Sequence, residues 1–315
     1  TRAIFMSLTL RPSLVLALTA ASLSLASGFA SPPLSLRMSG GDGSKKIALV
    51  TGSTDGIGQH TATKLAQDGF KVLIHGRSQK RIDATVQRIK DKAPGCELDT
   101  FLADFASLED VRKLSKELHA KCPRIDLLIN NAGVFSQSMQ KTVDGNEMTF
   151  QVNVLAPFLL TSLVLDLVKK SEKGKIIIVS SISQSYALDF DNLQMQKGFS
   201  DHSSYSLSKL CNAMHAIELA ERLKGALPGV TVNTLDPGTV NTKMLEAGWG
   251  MCGIDLSRAN YQHTLATDPS LDGETGQYFV GGRNTKASPP CYDTEQRQRL
   301  WKIMTDLTGA DYSVS

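Results

Sequence analysis

The first 41 residues contain no aspartate or glutamate; the first acid is Asp42. Over the whole chain of 315 residues the net charge is only +3, too little to point to nucleic acid as a partner. Cysteine is sparse and dispersed. Cys96, Cys122, Cys211, Cys252 and Cys291 make no Cys-x-x-Cys pair and no Cys/His cluster. No metal site is therefore expected, and the thiols are read as reduced. From Lys45 onward there is neither an internal repeat nor a Gly/Ser-rich linker. A chain of this length holds one large α/β domain or two ordinary ones, and the missing linker favours one.

The acid-free leader carries Arg2, Arg11 and Arg37. Within it "LVLALTAASLSLA" (14–26) is as long as a signal-peptide core and shorter than the roughly 20 residues of a membrane span. The small residues Ala26, Ser27 and Gly28 follow an A-x-A-like cleavage pattern, then come Phe29 and a Ser/Pro-rich stretch. "ASGFASP" resembles the targeting junction of proteins sent to the complex plastids of diatoms and related algae, which implies a plastid location. A plain secretory signal, leading to the endoplasmic reticulum or to secretion, and an N-terminal anchor with membrane association are the other readings. The chain opens on Thr1 rather than Met, so an earlier start is expected. Residues 1–44 are set apart as a targeting segment (signal peptide plus transit-like) and 45–315 as the folded body.

In the body, apolar β-rich runs alternate with stretches of helical spacing. The runs are "KIALVTG", "KVLIHG", "ELDTFLAD", "DLLINNAG", "KIIIVSS" and "VTVNTLDPG"; "QYFVGG" (277–282) reads as a weaker strand. Helical spacing covers 57–69, 80–92, 107–121, about 146–170, 203–224 and about 293–307. Nearly continuous apolar strands alternating with helices predict an α/β fold, a doubly wound parallel sheet of Rossmann type with helices on both faces. Ligands of such sheets bind outside the carboxyl ends of the strands, so residues that follow the strands matter most.

Gly52, Gly56 and Gly58 follow the first strand in "TGSTDGIGQHTATKLA". Glycines there let a tight turn bring backbone N–H groups to a pyrophosphate at a helix N-terminus. The G-x-x-x-G-x-G spacing differs from the usual G-x-G-x-x-G fingerprint, and an ordinary strand-to-helix turn is the competing reading. The second strand ends in "HGRSQKR". An acid there would favour NAD; Gly76 is neutral, and Arg77 offers a fork of donors to the 2′-phosphate of NADP. Lys80 and Arg81 add positive charge nearby or are simply the solvated start of a helix.

"YSLSK" sets Tyr205 and Lys209 one helical turn apart on one face. Alone, the pair reads as a partly buried tyrosine beside a snorkelling surface lysine. The wider pattern decides otherwise. The Thr51–Gly58 turn, Asp104, "NNAG" (130–133), Asn153, Ser181, Tyr205, Lys209 and "PGTVNT" (237–242) together resemble the short-chain dehydrogenase/reductase family, from about Lys46 to the C-terminus. "TVDGNEMTFQVNVLAPFLLT", "YSLSKLCNA" and "TGQYFVGGR" are closer to its retinol-dehydrogenase-like members, which include WW-domain oxidoreductases. Those members commonly carry Gly-His where this chain has Ala156-Pro157.

The resemblance implies an NADP(H)-dependent oxidoreductase acting on a small hydrophobic alcohol, aldehyde or ketone. It places Ser53, Asp55 and Ile57 with the three turn glycines against the cofactor. Asp104 is expected at the adenine edge and Asn131, Ala132 and Gly133 at the ribose side. Pro237 and Gly238 pass the nicotinamide, and Thr242 contacts its carboxamide or a phosphate. Tyr205 is the expected acid/base. A lysine charge about 4 Å from the phenol contributes roughly 4 kcal/mol at an effective dielectric of 20, enough to lower its pKa by up to about 3 units before desolvation opposes it. Lys209 would also hold cofactor hydroxyls, and Ser181, rather than Ser180, would bind the substrate oxygen. Pro157 has no N–H to give the Asn153 carbonyl; in the family that carbonyl holds a water in a relay to the lysine. The aperiodic stretch 243–264 is expected to cover the cleft, with Met244, Leu245, Trp249 and Met251 as its apolar residues. A NADP-binding regulator or assembly factor with little turnover, and a protochlorophyllide-reductase-like enzyme, are the rival readings. Oligomeric state is left open.

Overall fold

The computed structural model of the chain describes residues 44–313, which fall within one compact unit. All but Ser44 of the expected targeting segment lies outside the described residues. The first six strands are β1 (Ile47–Val50), β2 (Lys71–Gly76), β3 (Leu98–Leu102), β4 (Leu127–Asn130), β5 (Gly174–Val179) and β6 (Val230–Leu235), followed by β7 (Tyr278–Val280) and β8 (Arg283–Thr285). They form one sheet in the order β3-β2-β1-β4-β5-β6-β7-β8. β1 to β7 are parallel and β8 runs antiparallel to β7. That last strand departs from the all-parallel expectation. Gly281 and Gly282 in "QYFVGG" both take positive φ (58° and 77°), the backbone a tight two-residue hairpin needs, so the chain turns back where the sequence reading ended a strand.

The helices are α1 (Gly56–Gln67), α2 (Gln79–Lys92), α3 (Leu108–Lys121), α4 (Ala156–Lys169), α5 (Asp201–Leu223), α6 (Lys243–Trp249), α7 (Tyr261–Thr267) and α8 (Thr294–Thr308). Successive residues of a strand point to opposite faces, and here both faces are apolar. Leu49, Leu73, Leu128 and Ile176 pack with α3, α4, α5 and α8 in one core. Their neighbours Ala48, Val50, Val72, Ile74, Leu127 and Ile177 pack with α1, α2 and α7 in another. Side-chain caps start several helices: the Ser107 hydroxyl accepts from Asp110 N–H, Ser200 from Ser203 N–H and Thr242 from Leu245 N–H.

The stretch expected as one helix over 146–170 is in three parts. An α turn (Met148–Phe150) leads into a π-helical turn (Gln151–Leu155) and then α4. Ala156 N–H bonds to Gln151 O, one residue further back than in an α-helix. Pro157, at the start of α4, cannot continue the α pattern backwards because it lacks a donor. Met148–Lys169 is also long and apolar enough to cross a membrane, but 83% of its most apolar window is buried within the protein; it is the central core helix.

The strand order reverses between β1 and β4. Neighbouring crossovers diverge there and leave a crevice at the carboxyl ends of the strands.

Candidate active site

That crevice is a cleft of about 420 Å³. Its floor is the turn between β1 and α1. Gly52 and Gly56 have φ of 65° and 52°, a region glycine enters without steric cost. A Cβ on Gly52 would stand 2.8 Å from Ala132 Cα, and one on Gly58 would stand 2.3 Å from Asn131 Nδ2. Two donors and an imidazole lock the turn to the strands beside it. Asn131 N–H and Ala132 N–H both donate to Thr51 Oγ1 at 3.0 Å. Gly52 N–H donates to His75 Nδ1 at 3.1 Å. Burial pushes His75 down to about 4, so the ring is neutral and Nδ1 is free to accept.

Gly52, Asp55, Gly56, Ile57, Gly58, Arg77, Asp104, Asn131, Ala132, Gly133, Pro237 and Thr242 all line the cleft, as do Tyr205 and Lys209. Ser53 does not. Its side chain is buried and accepts from His75 N–H at 3.0 Å, because the turn directs it back against β2; Thr54 lines the cleft in its place. Some lining residues are already engaged. Asp55 caps Gly56 N–H and pairs with Arg81 and Lys243. Asp104 caps Ala106 N–H. Asn131 donates its side-chain amide to Thr51 O and accepts from Gln262, so it braces the turn.

The residues expected to carry chemistry converge at the other end. Tyr205 is 8% exposed and Lys209 4%, which rules out the snorkelling surface lysine. Lys209 Nζ donates to Val179 O at 3.2 Å and lies 5.4 Å from the Tyr205 ring centroid. Asn153 is fully buried in the π-helical turn. Its Oδ1 accepts from Val134 N–H at 2.7 Å, and its Nδ2 donates to Val134 O and Ser208 Oγ, both at 3.0 Å. A Cβ on Gly133 would stand 3.3 Å from Asn153 Oδ1 and 3.8 Å from Lys209 Nζ. The Asn153 side chain thus holds the backbone of Val134, the residue directly after "NNAG". Ser180 is buried and donates to Lys209 O at 2.6 Å. Ser181, on the other side of the strand end, hydrogen-bonds toward Tyr205.

The electrostatics differ from the expectation of a phenol acidified by its lysine. Burial pushes the Tyr205 phenol above its ordinary value, the Asp236 carboxylate pushes the same way, and the Ser181 hydrogen bond opposes them. Burial pushes Lys209 down to about 8, with Asp236 opposing. Burial is the largest influence on both groups. The result is a protonated phenol at neutral pH, the form that gives a proton to a carbonyl oxygen. The sequence reading missed Asp236, although an acid at the end of the apolar strand in "VTVNTLDPG" was the available signal.

The segment after Thr242 folds over this end as α6, a 3-10 turn (Leu256–Arg258) and α7. Met244 and Ala247 line the cleft. Trp249 packs against Tyr205 (ring centroids 5.3 Å), Phe135 (5.1 Å) and His202 (5.0 Å). Met251, expected to be part of the apolar wall, is exposed. Among the described residues no group of three or more His, Cys, Asp or Glu is placed to hold a metal.

A profile of the short chain dehydrogenase family matches residues 46–250. Human retinol dehydrogenase 14 is 33% identical over 292 residues, spanning 84% of this chain and 86% of its own. Human polyprenol dehydrogenase is 32% identical over 281 residues (84% and 85%). A chloroplastic short-chain dehydrogenase, TIC 32 B of Brassica napus, is 31% identical over 289 residues (85% and 90%). Among solved structures, a protein of Mycobacterium paratuberculosis superimposes with a TM-score of 0.70 at 24% identity, covering 85% of this chain and 95% of its own. A Shigella flexneri short chain dehydrogenase complexed with NADP gives 0.62 at 23% identity (74% and 95%); at that identity the likeness is one of fold. With the glycine turn, the buried Tyr205–Lys209 pair and these matches in hand, the chain belongs to the short-chain dehydrogenase family.

Proposed function

We propose that the protein is an NADP(H)-dependent oxidoreductase that interconverts a hydrophobic alcohol and its aldehyde or ketone, with Tyr205 as acid/base. What supports this reading is a cleft lined at one end by Tyr205 and Lys209, with buried Asn153 behind them and Ser181 hydrogen-bonding toward the phenol, and floored at its other end by the glycine turn. The residues present fit a dinucleotide. The cleft runs from Arg77 and Asp104, past the N-terminus of α1, to Tyr205. At the end of β2 neutral Gly76 precedes Arg77, while the nearby acids of the cleft are engaged, Asp55 with Arg81 and Lys243 and Asp104 with Ala106 N–H. Arg77 therefore suits a 2′-phosphate. The Shigella flexneri relative solved with NADP shares the fold.

When bound, the nicotinamide supplies or accepts the hydride. Tyr205 delivers its proton to the carbonyl oxygen or removes one from the alcohol, and Ser181 holds that oxygen. Lys209 supplies positive charge beside the phenol and holds cofactor hydroxyls; it remains protonated below about 8. Asn153 fixes the Val134 backbone directly after "NNAG", and its carbonyl anchors a water that links Lys209 to solvent. The apolar substrate preference rests on Phe135, Trp249 and Met244 around the phenol and on relatives named for retinol and polyprenol. A plastid location rests on the leader sequence and on the chloroplastic relative.

The test is a panel of hydrophobic aldehydes and ketones followed by loss of NADPH absorbance, with Tyr205→Phe as control. Tyr205-dependent oxidation of NADPH is expected. NADPH binding with no turnover across the panel would favour the regulatory reading.

A further inference from the structure

Side chains from two neighbouring strand ends meet around a single peptide bond, the one joining Ser181 to Ile182 just beyond β5. Its carbonyl accepts from the Tyr278 hydroxyl at 2.9 Å. Its N–H donates to Asp236 Oδ1 at 3.0 Å. Tyr278 stands on β7 and Asp236 immediately follows β6; they are 3% and 5% exposed. The second carboxylate oxygen of Asp236 accepts from Gly238 N–H at 2.9 Å, in the turn that begins at Pro237. A peptide unit is planar. Gripped at both polar ends, the peptide is held in one orientation, and the Ser181 hydroxyl oxygen beside it accepts from Ser183 N–H at 3.1 Å, so the clamp fixes the loop that in turn holds this hydroxyl.

We infer that Asp236 and Tyr278 are positioning residues that clamp the Ser181–Ile182 peptide, so aim the Ser181 hydroxyl at the reacting oxygen, and tie the Pro237–Gly238 turn to the same clamp. This inference rests on the oxidoreductase reading above.

The chemistry of each residue suits the task. A carboxylate can accept N–H donors on both oxygens; an amide turns one of its ends into a donor and loses one of the two bonds. A buried charge is costly unless it is paired. Burial does push the Asp236 carboxyl upward, while the Ile182 and Gly238 N–H groups and Lys209 pull it back. The remaining titratable neighbours that feel its charge are Tyr205 and Tyr278. On β7, Tyr278 is paired with both β6 and β8. A phenylalanine would fill the same space without reaching Ser181.

The experiment is a double-mutant cycle. Tyr278→Phe and Asp236→Asn are each made alone and with Ser181→Ala, and single-turnover rates and NADPH affinity are measured for all. Tyr278→Phe should lower the rate about tenfold with NADPH affinity unchanged. Asp236→Asn should lower both, because it also frees the Pro237–Gly238 turn. With Ser181→Ala in place, Tyr278→Phe should have little further effect, since no hydroxyl is left to aim. An equal fractional loss in both backgrounds would mean a merely structural contact and would overturn the inference. Thermal melting identifies a variant that fails to fold. Amide hydrogen exchange provides a readout that needs no substrate: the Ile182 amide should be protected in the unsubstituted protein and exchange faster in Asp236→Asn. A freely exchanging Ile182 amide in the unsubstituted protein would overturn the clamp. A protected amide in a protein without Tyr205-dependent turnover would support the clamp and count against the oxidoreductase reading instead.

Discussion

The two walls of the cleft are built by different means. The floor is close-packed backbone: a Cβ at Gly58 would meet Gly52 O at 2.6 Å, and one at Gly52 would meet Ala132 Cα at 2.8 Å. The lid helix α6 buries none of its seven residues. It is latched by the Lys243–Asp55 ion pair, by Gln137 donating to Ala247 O, by His202 bonding to Gly248 O, and by the tilted contact of Trp249 with Phe135 and its edge contact with Tyr205. Exposed ion pairs contribute about 0–1 kcal/mol, whereas overpacking a closed site costs about 1–3 kcal/mol or more. The floor is therefore committed to one shape of ligand, while the lid can be altered cheaply. A single family can in this way keep its cofactor while its substrates vary.

Substitutions on the two walls sharpen this contrast. The largest effect is expected from Gly58→Ala. Its new methyl would also lie 2.6 Å from Gly52 O, so the turn must shift, and NADPH affinity should fall by more than about tenfold. Fluorescence titration and a thermal melt would show it, and unchanged affinity would mean that the close approach is dispensable. Arg77→Glu comes next. Loss of a charged hydrogen bond should weaken NADPH about tenfold or more and leave NADH nearly unaffected; equal losses would remove Arg77 from the 2′-phosphate.

A pH titration probes the seam between the walls. Burial depresses Lys209 to about 8, so the ammonium is present below that pH and lost above it. NADPH affinity should decline as pH rises through about 8, and Lys209→Met should abolish that dependence. The smallest effect belongs to the lid. Trp249→Ala removes one ring contact with Tyr205, worth about 0.5–1.5 kcal/mol. It should raise KM for a hydrophobic aldehyde a few-fold with NADPH affinity unchanged; a loss of NADPH affinity instead would show that the lid also shapes the floor.

Most of the floor was legible in the sequence because its signals are local. The glycines stand within one turn of each other, and the apolar strands reveal the sheet by their alternation. Tyr205 and Lys209 were legible for the same reason, being one helical turn apart. Contacts between distant segments were not. Nothing near Asp236 announces that it reaches Ile182, 54 residues away, nor anything near Tyr278 that it reaches Ser181, 97 away. Ser53 was misplaced because motif position does not report which way a turn directs a side chain. The π-helical turn at Gln151–Leu155 is a departure of one hydrogen-bond register, which apolar periodicity is too coarse to reveal. The burial that raises the Tyr205 phenol was not legible either, because it depends on the whole fold rather than on the spacing of two residues.

The central claim is that a buried phenol in this cleft performs the proton transfer. Tyr205→Phe keeps the ring that packs against Phe135 and Trp249 and removes only the hydroxyl. Single-turnover reduction of a hydrophobic aldehyde at neutral pH, measured beside NADPH affinity, separates chemistry from binding. The expected result is a rate lower by about 10²–10⁴-fold with NADPH affinity retained. Near-normal reduction by Tyr205→Phe would contradict the account and leave the Tyr205–Lys209 pair as part of the core alone.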